Sequence, residues 1–333
     1  MSSGLRVGFP GTFAASVSVN KQLYRLFADE VPDLPIFLRP WWLDAACGED
    51  AWEVSLARKG TEVHAALPFR RRIISGLVIL SQPPLTQFLG PWLIPSGAKK
   101  ANDLGRQKDL MMALIDDLPR FAHYEQNWSP SALNWLPFYW KGFKQTTRYT
   151  YVLDNLQNLD AIWSGMRDNI RSDIRKAEGR SNLRMDTEAS LGDVIALIDR
   201  TYGRQGKTKP FSTEYMIRLD AVCASQKCRR IFVARDQAGQ AHAGVYIVWD
   251  QNSAYYLIGG GDPELRSSGA TSLCMWEAIK FAATVTRRFD FEGSMNESIE
   301  RFFRSFGAAQ IPYFKVQKTQ SFLLRTYLIL RGM

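Results

Sequence analysis

Near the end of the chain stands Asp290-Phe291-Glu292-Gly293-Ser294-Met295-Asn296, followed by Phe302-Phe303-Arg304-Ser305-Phe306-Gly307. The pattern predicts a strand over Arg288–Phe291 and a helix over Glu297–Ser305. A strand that ends in Glu-Gly-Ser sets a carboxylate and a hydroxyl at the carboxyl edge of a sheet, where ligands of α/β proteins collect. Glu292 in that position can orient or deprotonate an amine. Arg304 on the following helix can bind a phosphate or a developing anion. Ser294 and Asn296 stand between them as substrate contacts. The bland alternative is a glutamate at a helix N-terminus and a solvated arginine.

A second run, Gly260-Gly261-Asp262-Pro263-Glu264-Leu265-Arg266-Ser267-Ser268-Gly269-Ala270, leads into a predicted helix over Gly269–Ala283. A loop entering a helix can aim unpaired backbone N–H groups and the positive dipole end at an anion. Arg266, Ser267, Ser268, Gly269 and Ala270 are the candidate anion ligands, and a Gly-Asp-Pro turn capped by Ser268 is the structural alternative. Arg171 and Arg175 recur at helical spacing, and Tyr202, Gln205 and Lys207 follow near a helix end. Such a cluster suits a phosphorylated or carboxylated ligand, or tRNA, because guanidinium forks match those oxygens. A solvated basic stripe explains it equally simply. Tyr255 and Tyr256 point to opposite faces of one strand and read first as core residues. His64, His123 and His242 have no motif-bound Ser or Cys partner, so no nucleophilic triad is read.

The elements that must carry these residues follow from size and pattern. A chain of 333 residues with 46% hydrophobic and 23% charged residues reads as two globular domains rather than one. We place the boundary between residues 1–155 and 156–333. The net charge of +9 is spread over both halves without a basic tail, which suits anionic ligands. The four cysteines, Cys47, Cys223, Cys228 and Cys274, fit neither a disulfide framework nor a zinc site, so no metal is expected. The start has no signal-peptide pattern, and no stretch is long enough to span a bilayer. These features predict a cytoplasmic protein. The apolar Phe322–Leu330 stretch reads as a docked terminal helix, with a peripheral membrane contact as the minority reading.

In the first half, Trp52–Arg58 and Thr61–Arg70 read as a hairpin around Lys59-Gly60, and Ile73–Leu80 as a further strand. Asp103–Tyr124 reads as a helix, and Ala132–Leu136 and Arg148–Leu153 as strands. In the second half, helices are predicted over Leu159–Glu178, Leu191–Arg204 and Thr213–Ser225. Strands follow over Leu183–Thr187, Arg230–Arg235, Ala241–Trp249, Ser253–Ile258 and Ile311–Val316. This mixed order is neither doubly wound nor a regular βα barrel.

The order in the second half, with a phosphate-sized loop before its long helix, resembles the GNAT acetyltransferase fold. The whole chain resembles the Fem-type tandem-GNAT transferases, also described as methicillin-resistance-protein-like or BioF2-like acetyltransferase domains. The first half carries the likeness in Pro40-Trp41-Trp42-Leu43-Asp44-Ala45, Ala66-Leu67-Pro68-Phe69 and Ser81-Gln82-Pro83-Pro84-Leu85. The second carries it in Ile170–Glu178, Tyr202-Gly203-Arg204-Gln205-Gly206-Lys207, the 259–270 loop and Phe289–Gly307. GNAT coenzyme A loops usually read Gln/Arg-x-x-Gly-x-Gly/Ala, whereas here Arg266-Ser267-Ser268-Gly269-Ala270-Thr271 ends in Thr.

The resemblance implies two tandem GNAT-like domains of α/β (α+β) class with mixed, mostly antiparallel sheets, packed side by side. It implies acyl or aminoacyl transfer from an acyl-coenzyme A or an aminoacyl-tRNA to an amine. The acceptor would be an anionic small molecule or a cell-wall, cell-envelope or polysaccharide precursor. Glu292, Arg304 and Tyr256 become the catalytic candidates, Tyr256 as a donor to a leaving sulfur or hydroxyl. A non-catalytic protein binding tRNA or a nucleotide-sugar in the same clefts is the alternative. The sequence sets no oligomeric state.

Overall fold

The computed structural model describes residues 18–293, 295–321 and 324. Ser294 and nearly all of the Phe322–Leu330 stretch lie outside the described residues, so the terminal-helix reading has no structural counterpart here. Among the described residues no helix is long and apolar enough to cross a membrane.

The first half contains helices α1 (Val19–Glu30) and α2 (Pro40–Cys47), then strands β1 (Trp52–Lys59), β2 (Glu62–Ile74), β3 (Leu77–Ser81) and β4 (Trp92–Leu93). Helix α3 (Lys100–Asp116), β5 (His123–Asn127), α4 (Leu136–Trp140) and β6 (Lys144–Leu153) complete it. The second half contains α5 (Leu159–Gly165), α6 (Asp168–Glu178), β7 (Arg184–Asp186), α7 (Leu191–Arg204) and α8 (Thr213–Ser225). Then come β8 (Arg229–Arg235), β9 (Ala241–Trp249), β10 (Ser253–Gly261), α9 (Ala270–Val285), β11 (Arg288–Asp290), α10 (Glu297–Arg304) and β12 (Ala309–Thr319).

Local chemistry explains most boundaries. Ser190 and Asp193 form a reciprocal capping box at the start of α7, and Ser212 caps α8. Four sequence expectations are corrected. The helix expected to reach Tyr124 stops at Asp116, ahead of Pro119, and Tyr124 belongs to β5. The strand expected over Ala132–Leu136 is absent, because Pro137 opens the short helix α4. The helix expected over Leu159–Glu178 breaks where Met166 and Arg167 adopt extended backbone. The strand expected over Ile73–Leu80 is two strands, separated by Ser75 and Gly76, both left-handed with φ 49° and 76°.

The strands join in one sheet of order β1-β2-β3-β5-β12-β6-β11-β10-β9-β8-β7, with β4 added to β2. Pairing is antiparallel except at β3–β5 and β10–β11, so the expected mixed, mostly antiparallel class holds. The two halves share this sheet rather than abutting as two. They do so by exchanging their last strands: β12 lies between β5 and β6, while β6 pairs with β11. The exchange has a local signature. Trp128 N–H donates to Phe314 O at 2.7 Å, and Phe291 N–H donates to Tyr151 O at 2.9 Å, the same contact with the halves interchanged.

Helices cover both faces. In the second half, α5, α6, α9 and α10 bury one face through Met166, Ile170, Ile174, Leu273, Trp276 and Phe303. The other face packs on α7 and α8, and there the first half contributes Phe37, Trp42 and Phe88. Burial of such side chains stabilises at about 25 cal/mol per Å² of apolar surface. This shared core fixes the first half against the second.

Candidate functional site

Two irregularities of the second half open the sheet between β10 and β11. Pairing of β10 with β11 runs from Ser253↔Arg288 to Tyr255↔Asp290 and stops there, because β11 ends and the chain follows β6 instead. One residue further on, β10 carries a bulge: Tyr256 pairs with Ile247 and Ile258 with Tyr246, leaving Leu257 unpaired. The bulge turns Leu257 and Ile258 into the same core. Beyond it, β10 keeps only β9 as partner, and the divergence of β10 from β11 defines a slot.

Glu292 stands at the mouth of this slot. Its φ of 59° is left-handed, a conformation that costs a non-glycine residue about 1–2 kcal/mol. Its Oε1 is buried and has no hydrogen-bond partner. Burial first, and the neighbouring Asp290 charge second, push its carboxyl well above the ordinary carboxylate range. Strain and an orphaned acceptor together mark a residue held for a ligand rather than for the fold.

Asp290 is the anchor. Its Oδ1 accepts from Thr150 Oγ1 at 2.5 Å, from Glu292 N–H at 2.8 Å and from Gln87 Nε2 at 3.0 Å. It is 5% exposed, and burial raises its carboxyl against the pull of those hydrogen bonds.

Tyr256 reaches the slot from β10. Its ring packs edge-on against Phe303 at 5.7 Å and lies over Gly259, where a Cβ would meet the hydroxyl at 2.5 Å. Burial, with the Glu292 charge second, holds its hydroxyl protonated well above the usual tyrosine range. The structure therefore brings Glu292 and Tyr256 together.

At the far end of the slot α9 begins without a side-chain cap. Ala270 N–H reaches only the Ser268 hydroxyl, at 3.4 Å, and the next amides of the first turn have no intrahelical acceptor. Gly269 is left-handed, and a Cβ there would collide with the carbonyl of Asp173 on α6. The glycine thus lets the turn pack flush on α6, a steric role distinct from anion binding. Ser268 and Ala270 are buried, Ser267 and Arg266 exposed, and Arg266 Nε donates to Pro263 O at 3.0 Å.

The remaining candidates are placed elsewhere. Arg304 is half-exposed and its Nε donates to Glu300 Oε1 at 2.8 Å, in a chain continued by Tyr151 Oη to the same Glu300 oxygen at 2.7 Å. Its ion pair is thus with Glu300 on its own helix, one turn away. Arg171 pairs with Asp168, and Arg175 lies over the Trp163 ring at 5.6 Å. Gln205 and Lys207 are exposed in the turn after α7, whereas Tyr202 packs partly into the core and lies near Tyr256. Asn296 caps α10, its Oδ1 accepting from Ser298 N–H at 3.0 Å. Among the described residues no cluster of three or more metal-ligating side chains occurs.

Sequence reasoning missed Asp290, Thr150 and Gln87 as parts of the site. The Asp-Phe-Glu alternation was a usable signal for Asp290. Nothing local marks Thr150 or Gln87, which arrive through strand exchange and through a loop of the other half.

Residues 164–304 match the family model described as an acetyltransferase (GNAT) domain. Among solved structures, FemX is similar over 90% of this chain and 96% of its own, at 12% identity and a TM-score of 0.62. The C-terminal domain of a putative lysylphosphatidylglycerol synthetase from Agrobacterium fabrum covers 93% of this chain and 96% of its own, at 11% identity and TM-score 0.55. L-PGS from Bacillus licheniformis covers the same shares at 10% identity and TM-score 0.53. No curated protein matches the sequence. Within the second half, residues 164–304 are thus similar to a GNAT-type acetyltransferase domain. Over nearly its full length the chain has the fold of the Fem-type structures.

Proposed function

We propose that the chain transfers an acyl or aminoacyl group to an amine at the slot between β10 and β11. The observation that carries this reading is the Glu292 carboxyl, whose Oε1 is buried without a hydrogen-bond partner, held left-handed where the two strands part. An acyl donor enters along the unpaired edge of β10, with its anionic handle at the first turn of α9. Glu292 takes a proton from the acceptor ammonium, a task that its raised proton affinity favours. The freed amine adds to the donor carbonyl. Backbone N–H groups on the slot edge face the oxyanion that forms. Collapse expels the leaving sulfur or oxygen, which takes a proton from the Tyr256 hydroxyl. Tyr256 regains it through water from the second nitrogen proton, and no covalent enzyme intermediate is needed.

The donor class is acyl-coenzyme A or aminoacyl-tRNA. We place the acceptor among anionic, amine-bearing cell-envelope or polysaccharide precursors. The net charge of +9 supports an anionic acceptor, and the likeness to a lysylphosphatidylglycerol synthetase supports an envelope one. We assign catalysis to residues 156–333 and one wall of the acceptor cleft to residues 1–155.

The test is thermal stabilisation by acetyl-coenzyme A, longer acyl-coenzymes and aminoacyl-tRNA, followed by transfer assays with the stabilising donor. A true donor at about 100 times its Kd adds roughly 2.7 kcal/mol. Absence of stabilisation by every donor class overturns the reading.

A further inference from the structure

Besides Thr150 on the exchanged strand β6, the first half reaches Asp290 through Gln87. Between β3 and β4 its chain leaves the sheet, pairing β2 at Arg70↔Ser81 and again only at Ala66↔Trp92. This excursion is firmly built. Trp42 Nε1 donates to Thr86 Oγ1 at 2.9 Å, Gln82 Nε2 to Thr86 O at 2.8 Å, and Tyr215 Oη to Pro84 O at 2.5 Å. From it Gln87, nine-tenths buried, sends Nε2 to Asp290 Oδ1 at 3.0 Å and to Thr150 Oγ1 at 3.4 Å.

We infer that Gln87 is a positioning residue for Glu292, acting through Asp290, so that the first half completes the site of the second. The inference rests on the reading of Glu292 given above only for its catalytic meaning. The three donors on Asp290 Oδ1 come from three places: Glu292's own backbone, the exchanged strand β6, and the first-half excursion. An acceptor fixed from three directions holds the Glu292 amide, and with it the left-handed backbone that aims the carboxylate into the slot. Gln87 Oε1, by contrast, is buried with no partner. A glutamine kept only for packing has no need of an amide at that cost. Its amide N–H donation is what the position uses.

The charged and titratable groups around Glu292 are Asp290 on β11, Tyr256 on β10 and Tyr313 on β12. Arg148 on β6 acts on Tyr313, and Arg288 on β11 acts on Asp290. Gln87 donation favours the ionised form of Asp290, which in turn disfavours ionisation of Glu292.

The experiment is a carboxyl-carbon NMR titration of the full-length protein labelled at glutamate, with Glu292 assigned by Glu292→Gln. Removing the donor in Gln87→Leu lets Asp290 neutralise, so the Glu292 midpoint moves to lower pH. The isosteric Gln87→Glu replaces the amide donor with a carboxyl that competes with Asp290 for the charge, so it too displaces the midpoint. Thr150→Val removes a second donor and shifts the midpoint in the same direction as Gln87→Leu. With a donor and acceptor in hand, Gln87→Leu lowers kcat about tenfold and leaves the donor KM unchanged. A Glu292 midpoint that is unmoved in both Gln87 variants overturns the inference, even if stability falls. If Gln87→Leu fails to fold, Gln87→Glu and Thr150→Val carry the test. Wild-type turnover in Glu292→Gln would instead reject the base assignment, while the titration, needing no substrate, still reads the Gln87 coupling.

Discussion

The two halves repeat one plan yet treat the same place in opposite ways. In each, a parallel strand pair opens as its strands diverge: β3 with β5 in the first half, β10 with β11 in the second. In the second half the departure is a one-residue bulge at Leu257, and no strand residue bridges β10 and β11 beyond Tyr255↔Asp290. In the first half the departure is the whole excursion from Gln82 to Pro91, and it fills the gap. Leu89 forms a parallel bridge with Trp128, its N–H donates to Asn127 O at 2.9 Å, and Gly90 N–H donates to Gln126 Oε1 at 3.2 Å. The contact pattern of the exchanged strands matches Trp128 with Phe291, and hence Ser129 with Glu292. One half thus carries a strained carboxylate beside an open slot, the other a serine beside a packed one. A duplicated scaffold can spend one copy on chemistry and the other on holding it.

The largest effect that would test this contrast is loss of the carboxylate. Glu292→Gln is expected to lower turnover about 100-fold or more with the fold retained, while Ser129→Ala leaves turnover unchanged. Steady-state kinetics on both variants check it, and equal effects would erase the distinction between the halves. Next comes the leaving-group proton. Tyr256→Phe should lower kcat about tenfold, and less for donors whose leaving group has a low proton affinity. A uniform loss across donors would mean that Tyr256 only packs.

A smaller effect is expected at the helix start. Thr271 is exposed in the first turn of α9. Thr271→Glu puts a negative charge where the donor's anion should sit, so donor affinity should drop several-fold by calorimetry. The free protein should not lose stability, because an acid in the first turn is favourable by about 0.3–1 kcal/mol. Ala101→Glu at the start of α3, the matching helix of the first half, should leave donor affinity unchanged. The smallest effect is on stability. Because the Glu292 carboxyl is raised in the folded state, its contribution is intact below the unfolded glutamate range and is lost as pH climbs through the folded value. Glu292→Gln should therefore match wild type below about pH 4 and melt higher toward neutral and alkaline pH. A constant difference across that range would mean Glu292 is not buried as described.

Much was legible in the sequence because it is written locally. Hydroxyl caps and apolar periodicity set α7 and α8 to the residue, and turn residues set the β8–β9 and β9–β10 hairpins. The strand-to-helix run around Glu292 was legible as the end of β11 and the start of α10. The partners of Arg304, Arg171 and Arg175 were not legible, because a lone sequence shows a cation but not the group that pairs with it.

What only the tertiary structure decided lies in pairings distant along the chain. Exchange of β6 and β12 brings Thr150 to Asp290, and the first-half excursion brings Gln87 to the same oxygen. Glu292 is aimed by those contacts, since its left-handed backbone is intrinsically unfavourable and its amide is held by the Asp290 oxygen they fix. Sequence determined the elements and the carboxylate; the slot, the filled copy opposite it and the clamp on Asp290 exist only because distant strands meet. Local hydrogen bonds and periodicity act within a few residues, whereas strand partners and buried networks are set by the core that both halves share.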